Sequence, residues 1–348
     1  MTEAGHRSYR HGGSAPRDSG PTPRSWLFVP GAAQRYVAKL ADVGPDAAIL
    51  DLEDGIAVRE VAEARGRVAA VLASNPERTF LPTVVAVRSH PVSSAEFAAD
   101  VASLGPRLTV LMLPKVASAA EVAAAAEALV GAGLAHAGIV AMIESAAGLE
   151  NVAAILGAHS SLVGVAFGAE DFAADIGLPP AVAGQSGAGQ SGAGQSRAGA
   201  EARAASESGR LAVLDAVRTR LVTAAAAAGV PWRIDTPVLQ IRPVSLVETE
   251  ARRSRSLGFG GKFVIHPSHV ASVHAGYAPS EAEVAWARAV LGGTSGGGAA
   301  DAHGVGDDRA SGATSNGGQM IDEAVARQAR AVLRSAGDVQ DLVGTEKD

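Results

Sequence analysis

The chain of 348 residues contains no cysteine, and this absence excludes disulfide bonds, zinc–thiolate sites and thiol catalysis. It also contains no run of about 18 consecutive apolar residues, which argues against a membrane-spanning helix. The formal net charge of −6 gives no basic surface for nucleic acid or for an anionic membrane. We therefore expect a cytoplasmic protein whose partners are neither nucleic acids nor membranes.

Aromatic residues make up only 4% of the chain although 47% of it is hydrophobic, so Ala, Val, Leu and Ile must form most of the core. Three segments lack the apolar residues that a core needs. We expect residues 1–23 to form a disordered tail, residues 181–208 a mobile low-complexity insertion, and residues 292–318 a flexible linker. The rest of the chain divides into a main domain at 24–291 and a C-terminal helical segment at 319–348.

Eight short apolar runs alternate with Ala-rich helical stretches. The runs are nearly continuous in Val, Ile and Leu, which is typical of parallel strands that are buried on both faces. They lie at 26–30, 47–53, 83–88, 108–115, 138–144, 162–168, 232–239 and 262–267. Eight strand–helix repeats predict a closed (β/α)₈ TIM barrel. A doubly wound open sheet is the alternative, but no G-x-G-x-x-G follows the first strand to support its dinucleotide-binding form.

Charged or titratable residues stand at the ends of most of these runs. Active sites of such barrels lie at the C-terminal ends of the strands, so we expect these residues to share one rim. In chain order they are Asp51, Glu53, Asp54, Arg88, Lys115, Glu144, Glu170, Asp171, Asp235 and His266.

Glu144 and Asp171 follow the fifth and sixth runs, on neighbouring strands of the predicted barrel. Two carboxylates with no softer ligand beside them suit a hard cation such as Mg²⁺ or Mn²⁺. Mg²⁺ commonly takes one or two protein carboxylates and fills its remaining positions with water and substrate. The residues alone leave open that both acids are solvated, or that Asp171 caps a helix starting near Phe172.

Arg88, Lys115 and His266 each have two interpretations. Arg88 can clamp a substrate carboxylate or a developing oxyanion, or it can form a salt bridge with Glu53 or Asp54. Lys115 can bind substrate in the same way or form a structural ion pair. His266 is more typical of a hydrogen-bonded histidine at a strand end than of a catalyst. Asp51, Glu53 and Asp54 can orient water around a metal ion.

Seven motifs in this chain resemble those of the citrate lyase β-subunit-like group, within the HpcH/HpaI aldolase and citrate lyase superfamily of CoA-ester lyases. They are RSWLFVPG (24–31), ILDLEDGI (49–56), LMLPKV (111–116), MIESAAG (142–148), FGAEDFAADIG (167–177), GFGGKFVIHPS (258–268) and GQMIDEAV (318–325). The resemblance covers about residues 24–180 and 209–335. It implies a TIM barrel with a C-terminal helical lid, dependence on Mg²⁺, and a homotrimer or hexamer.

The resemblance also implies a role for each matching residue. Glu144 would be a metal ligand that also touches substrate, and Asp171 would be the second ligand. Arg88 would bind substrate, while Glu53 and Asp54 would hold waters around the metal.

Asp322 in GQMID matches the lid acid that reaches a neighbouring subunit's active site in the CoA-lyase branch. The implied reaction is reversible cleavage of a 3-hydroxyacyl-CoA, such as citramalyl-, malyl- or citryl-CoA, to a 2-oxo acid and acetyl-CoA. In that reaction metal-bound water near Glu53 and Asp54 takes the proton of the substrate hydroxyl, and Asp322 exchanges a proton with the acetyl methyl. Without the resemblance, Asp322 would be read as a helix-start residue.

The chain departs from the family pattern at three places. Arg88-Ser89-His90 stand where the family often has R-x-N, and the stretch after the seventh run, VLQIRPVSL, lacks the expected acidic character. The insertion at 181–208 falls in the loop after the sixth run, close to the mouth of the predicted barrel. These departures concern the acyl group of the substrate. Three alternatives stay open: a citrate lyase β subunit acting on an acyl-carrier-protein thioester, a CoA-independent class II pyruvate aldolase, and a barrel without catalytic activity.

Overall fold

The computed structural model describes residues 23–54, 56–73, 81–180, 197–294, 314–316 and 319–337. The predicted N-terminal tail therefore lies outside the described residues, apart from Pro23. The chain forms two compact units, residues 1–277 and residues 278–348, and each is described by itself.

The first unit is a closed barrel of eight parallel strands, which confirms the predicted (β/α)₈ TIM barrel. Each strand pairs with its neighbours in the chain, and the last strand pairs with the first. The strands are β1 (Ser25–Pro30), β2 (Ala47–Asp51), β3 (Val84–Arg88), β4 (Val110–Leu113), β5 (Gly138–Ile143), β6 (Leu162–Phe167), β7 (Trp232–Asp235) and β8 (Gly261–Val264).

Helices cover the outside of the barrel. They are α1 (Gln34–Val37), α2 (Leu40–Val43), α3 (Val61–Ala73), α4 (Phe97–Ala102), α5 (Ala119–Gly131), α6 (Ala146–Glu150), α7 (Val152–Leu156), α8 (Ala169–Asp175), α9 (Arg197–Ala228), α10 (Val244–Ser256) and α11 (Val270–Tyr277). Local chemistry fixes several of these starts. Before α5, for example, the Glu121 carboxylate accepts the backbone N–H of Ser118 at 2.8 Å, which satisfies a donor that the helix itself leaves unpaired.

Helix α9 corrects the prediction for residues 181–208, because residues 197–208 are helical rather than a mobile insertion. Ala, Glu and Arg dominate this stretch, and all three have high helix propensity. The helix then continues into an amphipathic half that buries Leu214, Val217, Leu221 and Ala225 at spacings of three and four residues. Residues 181–196 lie outside the described part of the chain.

Two apolar clusters divide the barrel residues between them. One cluster takes residues from all eight strands and none from the helices, so it fills the barrel interior: Trp26, Ala47, Ile49, Val84, Ala86, Val110, Met112, Val140, Met142, Ala166, Trp232, Ile234 and Phe263. The other cluster joins the alternate strand residues to the helices. The side-chain period of two in a strand therefore decides which residues point into the barrel.

Asp235 is on the outward-facing set of β7, because Trp232 and Ile234 face inward. It binds Lys262 Nζ at 2.9 Å and Arg218 Nε at 2.9 Å, and it accepts a bond from Ser254 Oγ. The expectation that Asp235 joins the other polar residues at the rim is therefore wrong. Its carboxylate stabilises the contact between the barrel and helices α9 and α10.

The second unit contains α12 (Glu281–Thr294), β9 (Thr314–Asn316), β10 (Gln319–Ile321) and α13 (Glu323–Ala336). Its core consists of Ala287, Val290, Ile321, Ala329 and Leu333. The sequence predicted that the main domain ends at residue 291. The boundary between the units falls after Tyr277 instead, because α12 packs against α13.

The predicted linker at 292–318 is also partly structured. It begins inside α12, and its residues 314–316 form a strand that pairs antiparallel with β10. Residues 295–313 and 317–318 lie outside the described part of the chain. Among the residues that the structure describes, no helix is both long and apolar enough to cross a membrane.

Candidate active site

The inward-facing positions of three strands continue into polar residues at the C-terminal mouth of the barrel. On β2 the inward residues Ala47 and Ile49 are followed by Asp51, and on β3 the inward positions end in Arg88. Beyond Val140 and Met142 on β5, the next inward position is Glu144. All three polar side chains are buried, so the barrel interior ends in a layer of charged groups.

Arg88 is the centre of an ion-pair network at this mouth. Its Nε and Nη2 donate to the two oxygens of Asp51 at 2.7 and 2.8 Å, and its Nη1 donates to Asp54 at 2.9 Å. Glu53 Oε2 lies 3.1 Å from Nη1 as an ion pair without hydrogen-bond geometry. Burial alone would lower the pKa of Arg88, but the bonds to Asp51 raise it above its ordinary value. The arginine is therefore held by three acids, and its guanidinium also stacks on the ring of Phe28.

Glu144 is 4% exposed, and the charges of Glu53, Asp171 and Arg88 act on it. Burial, together with the charges of Glu53 and Asp171, raises its pKa to about 7. Its Oε2 accepts the backbone N–H of Lys115 at 2.8 Å. Gly168 provides the space for this side chain, because a Cβ on Gly168 would lie 2.5 Å from Glu144 Oε1.

Lys115 follows β4 and has a left-handed backbone with φ of 54°, which is uncommon for a residue with a side chain. Its ammonium donates to Glu53 Oε1 at 2.6 Å. Burial lowers the pKa of Lys115, but the bond to Glu53 and the charges of the surrounding acids together outweigh this effect and raise it. Lys115 thus contacts Glu144 through its backbone and Glu53 through its side chain.

Asp171 lies in the first turn of α8, where it is exposed. The helix begins at Ala169, so Asp171 does not cap it, and that alternative is wrong. The charge of Asp171 contributes to the raised pKa of Glu144, which places the two carboxylates within electrostatic reach of each other. The preceding Glu170 pairs with Arg210 of α9 at 2.9 Å.

The oxygen donors around Glu144 suit a divalent cation. A buried carboxylate beside two further acids carries unfavourable repulsion that a cation would remove. Among the described residues, no group of three or more His, Cys, Asp and Glu side chains is arranged to hold a metal. A site with Glu144 and Asp171 as its two protein ligands agrees with both observations, since Mg²⁺ needs no more than that from the protein.

Three other polar residues of the sequence motifs have local structural partners. Arg24 precedes β1, at the N-terminal end of the barrel, where its Nε binds Asp46 at 2.9 Å. His266 accepts the backbone N–H of Ser268 and so caps the 3₁₀ turn Pro267–His269. Asp322, in the second unit, is the N-cap of α13, and its Oδ1 accepts the N–H of Val325 at 2.9 Å. The reading of Asp322 as a helix-start residue is correct, while its predicted action in a neighbouring subunit stays a prediction.

Sequence reasoning gave no definite role to two buried residues of the site. Asp51 binds both ends of the Arg88 guanidinium fork, and Arg210 links Glu170 to the carbonyl of Pro179. The alternation of β2 is the signal for Asp51, because it lies two positions after the inward Ile49. No comparable signal exists for Arg210, which comes from a helix beyond the low-complexity insertion.

Comparisons with known proteins agree with the barrel fold and with the resemblance of the sequence motifs. The sequence profile of the HpcH/HpaI aldolase/citrate lyase family matches residues 24–267. A citrate lyase subunit beta-like protein from Deinococcus radiodurans is 32% identical over 311 residues, covering 89% of this chain and 96% of the relative. An L-malyl-CoA/beta-methylmalyl-CoA lyase from Cereibacter sphaeroides is 31% identical over 324 residues, covering 90% and 94%. The crystal structure of CitE from Mycobacterium tuberculosis, in complex with magnesium, acetoacetate and coenzyme A, matches with a TM-score of 0.66 at 31% identity, covering 92% of this chain and 99% of that one.

Proposed function

Because the chain belongs to the HpcH/HpaI aldolase/citrate lyase family, we propose that it is a Mg²⁺-dependent carbon–carbon lyase acting on a CoA thioester. The substrate would be a 3-hydroxyacyl-CoA of the citramalyl, malyl or citryl type, and the products a 2-oxo acid and acetyl-CoA. The names of the Cereibacter relative and of the magnesium and coenzyme A complex of CitE support this class of substrate. The same site could run the reaction in the condensing direction.

The observation that carries the proposal is the buried Glu144, on which the charges of Glu53 and Asp171 act. We assign Glu144 and Asp171 as the two protein ligands of Mg²⁺, with Mn²⁺ as a possible substitute. When bound there, the cation would act as a Lewis acid towards the hydroxyl and carboxylate oxygens of the part that becomes the 2-oxo acid.

Arg88 supplies a fixed positive charge next to this position. A guanidinium has five N–H groups, and the contacts with Asp51, Asp54 and Glu53 use at most four of them. At least one N–H is left for a substrate oxygen on which negative charge develops. Because three acids hold the guanidinium in place, it needs no reorientation during the reaction.

Asp54 is the best-placed acid to accept the proton of the substrate hydroxyl. Its side chain is 59% exposed at the mouth, whereas Glu53 is 7% exposed and already bonded to Lys115. Loss of this proton lets the carbon–carbon bond break, which releases the 2-oxo acid and leaves a thioester enolate. The enolate carbon must then receive a proton to become the acetyl methyl. Lys115 is 46% exposed, and direct contact with substrate is the alternative to a role through its neighbouring acids.

We assign to Asp322 of a neighbouring subunit the donation of the proton that converts the enolate carbon into the acetyl methyl. This assignment rests on the resemblance of GQMID to the family's lid motif, as does a homotrimer or hexamer, and we propose a cytoplasmic location for the assembly. Light scattering on the purified protein tests the assembly directly, and a monomer at catalytic concentrations would rule out action between subunits.

A panel of 3-hydroxyacyl-CoA esters tests the reaction itself. We expect release of a 2-oxo acid and acetyl-CoA with Mg²⁺, no turnover in EDTA, and none in Glu144→Ala or Asp171→Ala. Wild-type turnover that survives EDTA would refute the metal assignment. The Deinococcus relative's name favours one second candidate, a citrate lyase β subunit that requires a carrier-protein thioester. Activity on free CoA esters would exclude that candidate.

A further inference from the structure

Lys115 joins two acids of the mouth that belong to different strands. Glu144 follows β5, and its Oε2 accepts the Lys115 backbone N–H at 2.8 Å. Glu53 follows β2, and its Oε1 accepts the Lys115 ammonium at 2.6 Å. One residue therefore fixes an oxygen of each acid.

The backbone of Lys115 adopts an unfavourable conformation to make the first contact. Its φ of 54° lies in the left-handed region, where a Cβ causes steric repulsion and glycine is preferred. The chain nevertheless has lysine at this position. Such an outlier at a functional site suggests that the side chain itself contributes something glycine cannot supply.

The side chain contributes a positive charge among acids. The ammonium of Lys115 interacts electrostatically with Glu53, Asp54 and Glu144. It occupies Glu53 Oε1, while Glu53 Oε2 faces the Arg88 guanidinium at 3.1 Å. Both oxygens of Glu53 are thus directed at cations that belong to the protein.

We propose that Lys115 is a positioning residue that keeps Glu53 out of the coordination shell of the metal while presenting Glu144 to it. The proposal rests on the proposed function. Mg²⁺ has six coordination positions, and each one taken by a protein carboxylate is lost to substrate. By holding Glu53, Lys115 leaves two protein ligands and keeps the positions that a chelating 2-oxo acid requires.

Calorimetric titration of MgCl₂ into the purified chain tests this proposal. Lys115→Met should tighten Mg²⁺ binding, on the order of tenfold, because it frees Glu53 as a third ligand and removes a positive charge. The same substitution should lower kcat, since Glu53 then competes with substrate for the metal. Lys115→Gly keeps the N–H and adopts a positive φ without strain, so it should behave like Lys115→Met even if the methionine variant folds poorly.

A double-mutant cycle separates a role through Glu53 from a simple charge effect. In a Glu53→Gln background, Lys115→Met should change the Mg²⁺ affinity by less than about threefold and lower kcat no further. Arg252→Met is the matched control, because it removes one positive charge from the exposed Arg252–Glu248 pair of α10. It should leave both quantities unchanged.

Three results would overturn the proposal while the wild type binds Mg²⁺ normally. The first is an unchanged dissociation constant in both Lys115 variants. The second is full tightening that persists in the Glu53→Gln background. The third is a raised KM for the CoA ester with an unchanged kcat, which would make Lys115 a substrate-binding residue. A wild type that binds no Mg²⁺ would instead refute the proposed function, and this proposal with it.

Discussion

Replacing Arg88 by methionine should destabilise the barrel strongly, because the substitution leaves Asp51 as a buried and unpaired charge. Asp51 is 3% exposed and gives both of its oxygens to Arg88 at 2.7 and 2.8 Å. Breaking a buried pair by removing one partner typically costs about 3–5 kcal/mol. For a domain of this size, each kcal/mol corresponds to roughly 2–4 °C in Tm, so we expect a fall of roughly 6–20 °C.

Two further variants make the measurement decisive. In Arg88→Met/Asp51→Leu both charges are gone, and replacing a whole buried pair by apolar groups is often neutral, so most of the lost Tm should return. Arg252→Met breaks an exposed pair between residues four apart on α10 and should cost only about 0.3–0.5 kcal/mol. Differential scanning calorimetry compares all three with the wild type. If Arg88→Met melts within about 2 °C of the Arg252→Met control, the network is not buried as the contacts indicate.

Three other predictions concern the carboxylates. In the metal-free protein, burial and neighbouring acids raise the pKa of Glu144 from 4.5 to about 7. The protonated carboxyl therefore stabilises the fold fully below pH 4.5, and this contribution to stability should be lost as the pH rises through 7. Glu144→Gln should remove that loss, and a thermal scan between pH 5 and 8 that shows the same slope in both proteins would contradict it. Gly168→Ala should displace Glu144 and weaken Mg²⁺ binding in calorimetry, while Gly66→Ala, at a helical position with open space, should leave it unchanged. Asp322→Asn keeps an N-cap acceptor for α13 and should retain the wild-type Tm, yet slow thioester cleavage strongly; unchanged turnover would exclude Asp322 from the chemistry.

The barrel could be predicted from the sequence because its strands are buried on both faces. Continuous apolar runs of this kind mark parallel strands, and the eight runs correspond to the eight strands that close the barrel. The predicted run at 47–53 ends two residues late. Asp51 Oδ1 accepts the N–H of Glu53 at 3.2 Å, and this local bond turns the chain out of β2.

The boundaries of the low-complexity segments and of the two units were predicted less well from composition than the strands were from their apolar runs. Residues 197–208 share small polar residues with the repeat before them, yet their Ala, Glu and Arg content is sufficient to extend a helix whose packing begins later. The assignment of α12 to the second unit depends on its contact with α13, across a segment of low complexity. Contacts over such distances in the chain leave no pattern in the local sequence.

Within the site, the alternation of inward-facing and outward-facing positions along each strand decides which site residues could be predicted from the sequence. Arg88 and Glu144 continue inward-facing positions, whereas Asp235 lies on the outward set and binds Lys262 instead. This alternation cannot show that the Arg88 guanidinium is already bonded to Asp51, because that contact depends on the angle of two side chains across neighbouring strands. The left-handed backbone of Lys115 is also absent from the sequence pattern, since lysine gives no sign of it.

The alternation of inward-facing and outward-facing residues determines where this chain can accept insertions and deletions. Deleting one residue inside β2 or β5 would turn Asp51 or Glu144 towards the helices, so the strands tolerate no change in residue number. The connection from α8 to α9 is different, because residues added there leave every strand side chain in its direction and leave Asp171 in α8. The chain has 16 residues between Pro180 and Arg197, and all but Val182 are Gly, Gln, Ser or Ala. Loop grafting for new acyl specificity should therefore succeed in this connection and fail when it shifts a strand by a single residue.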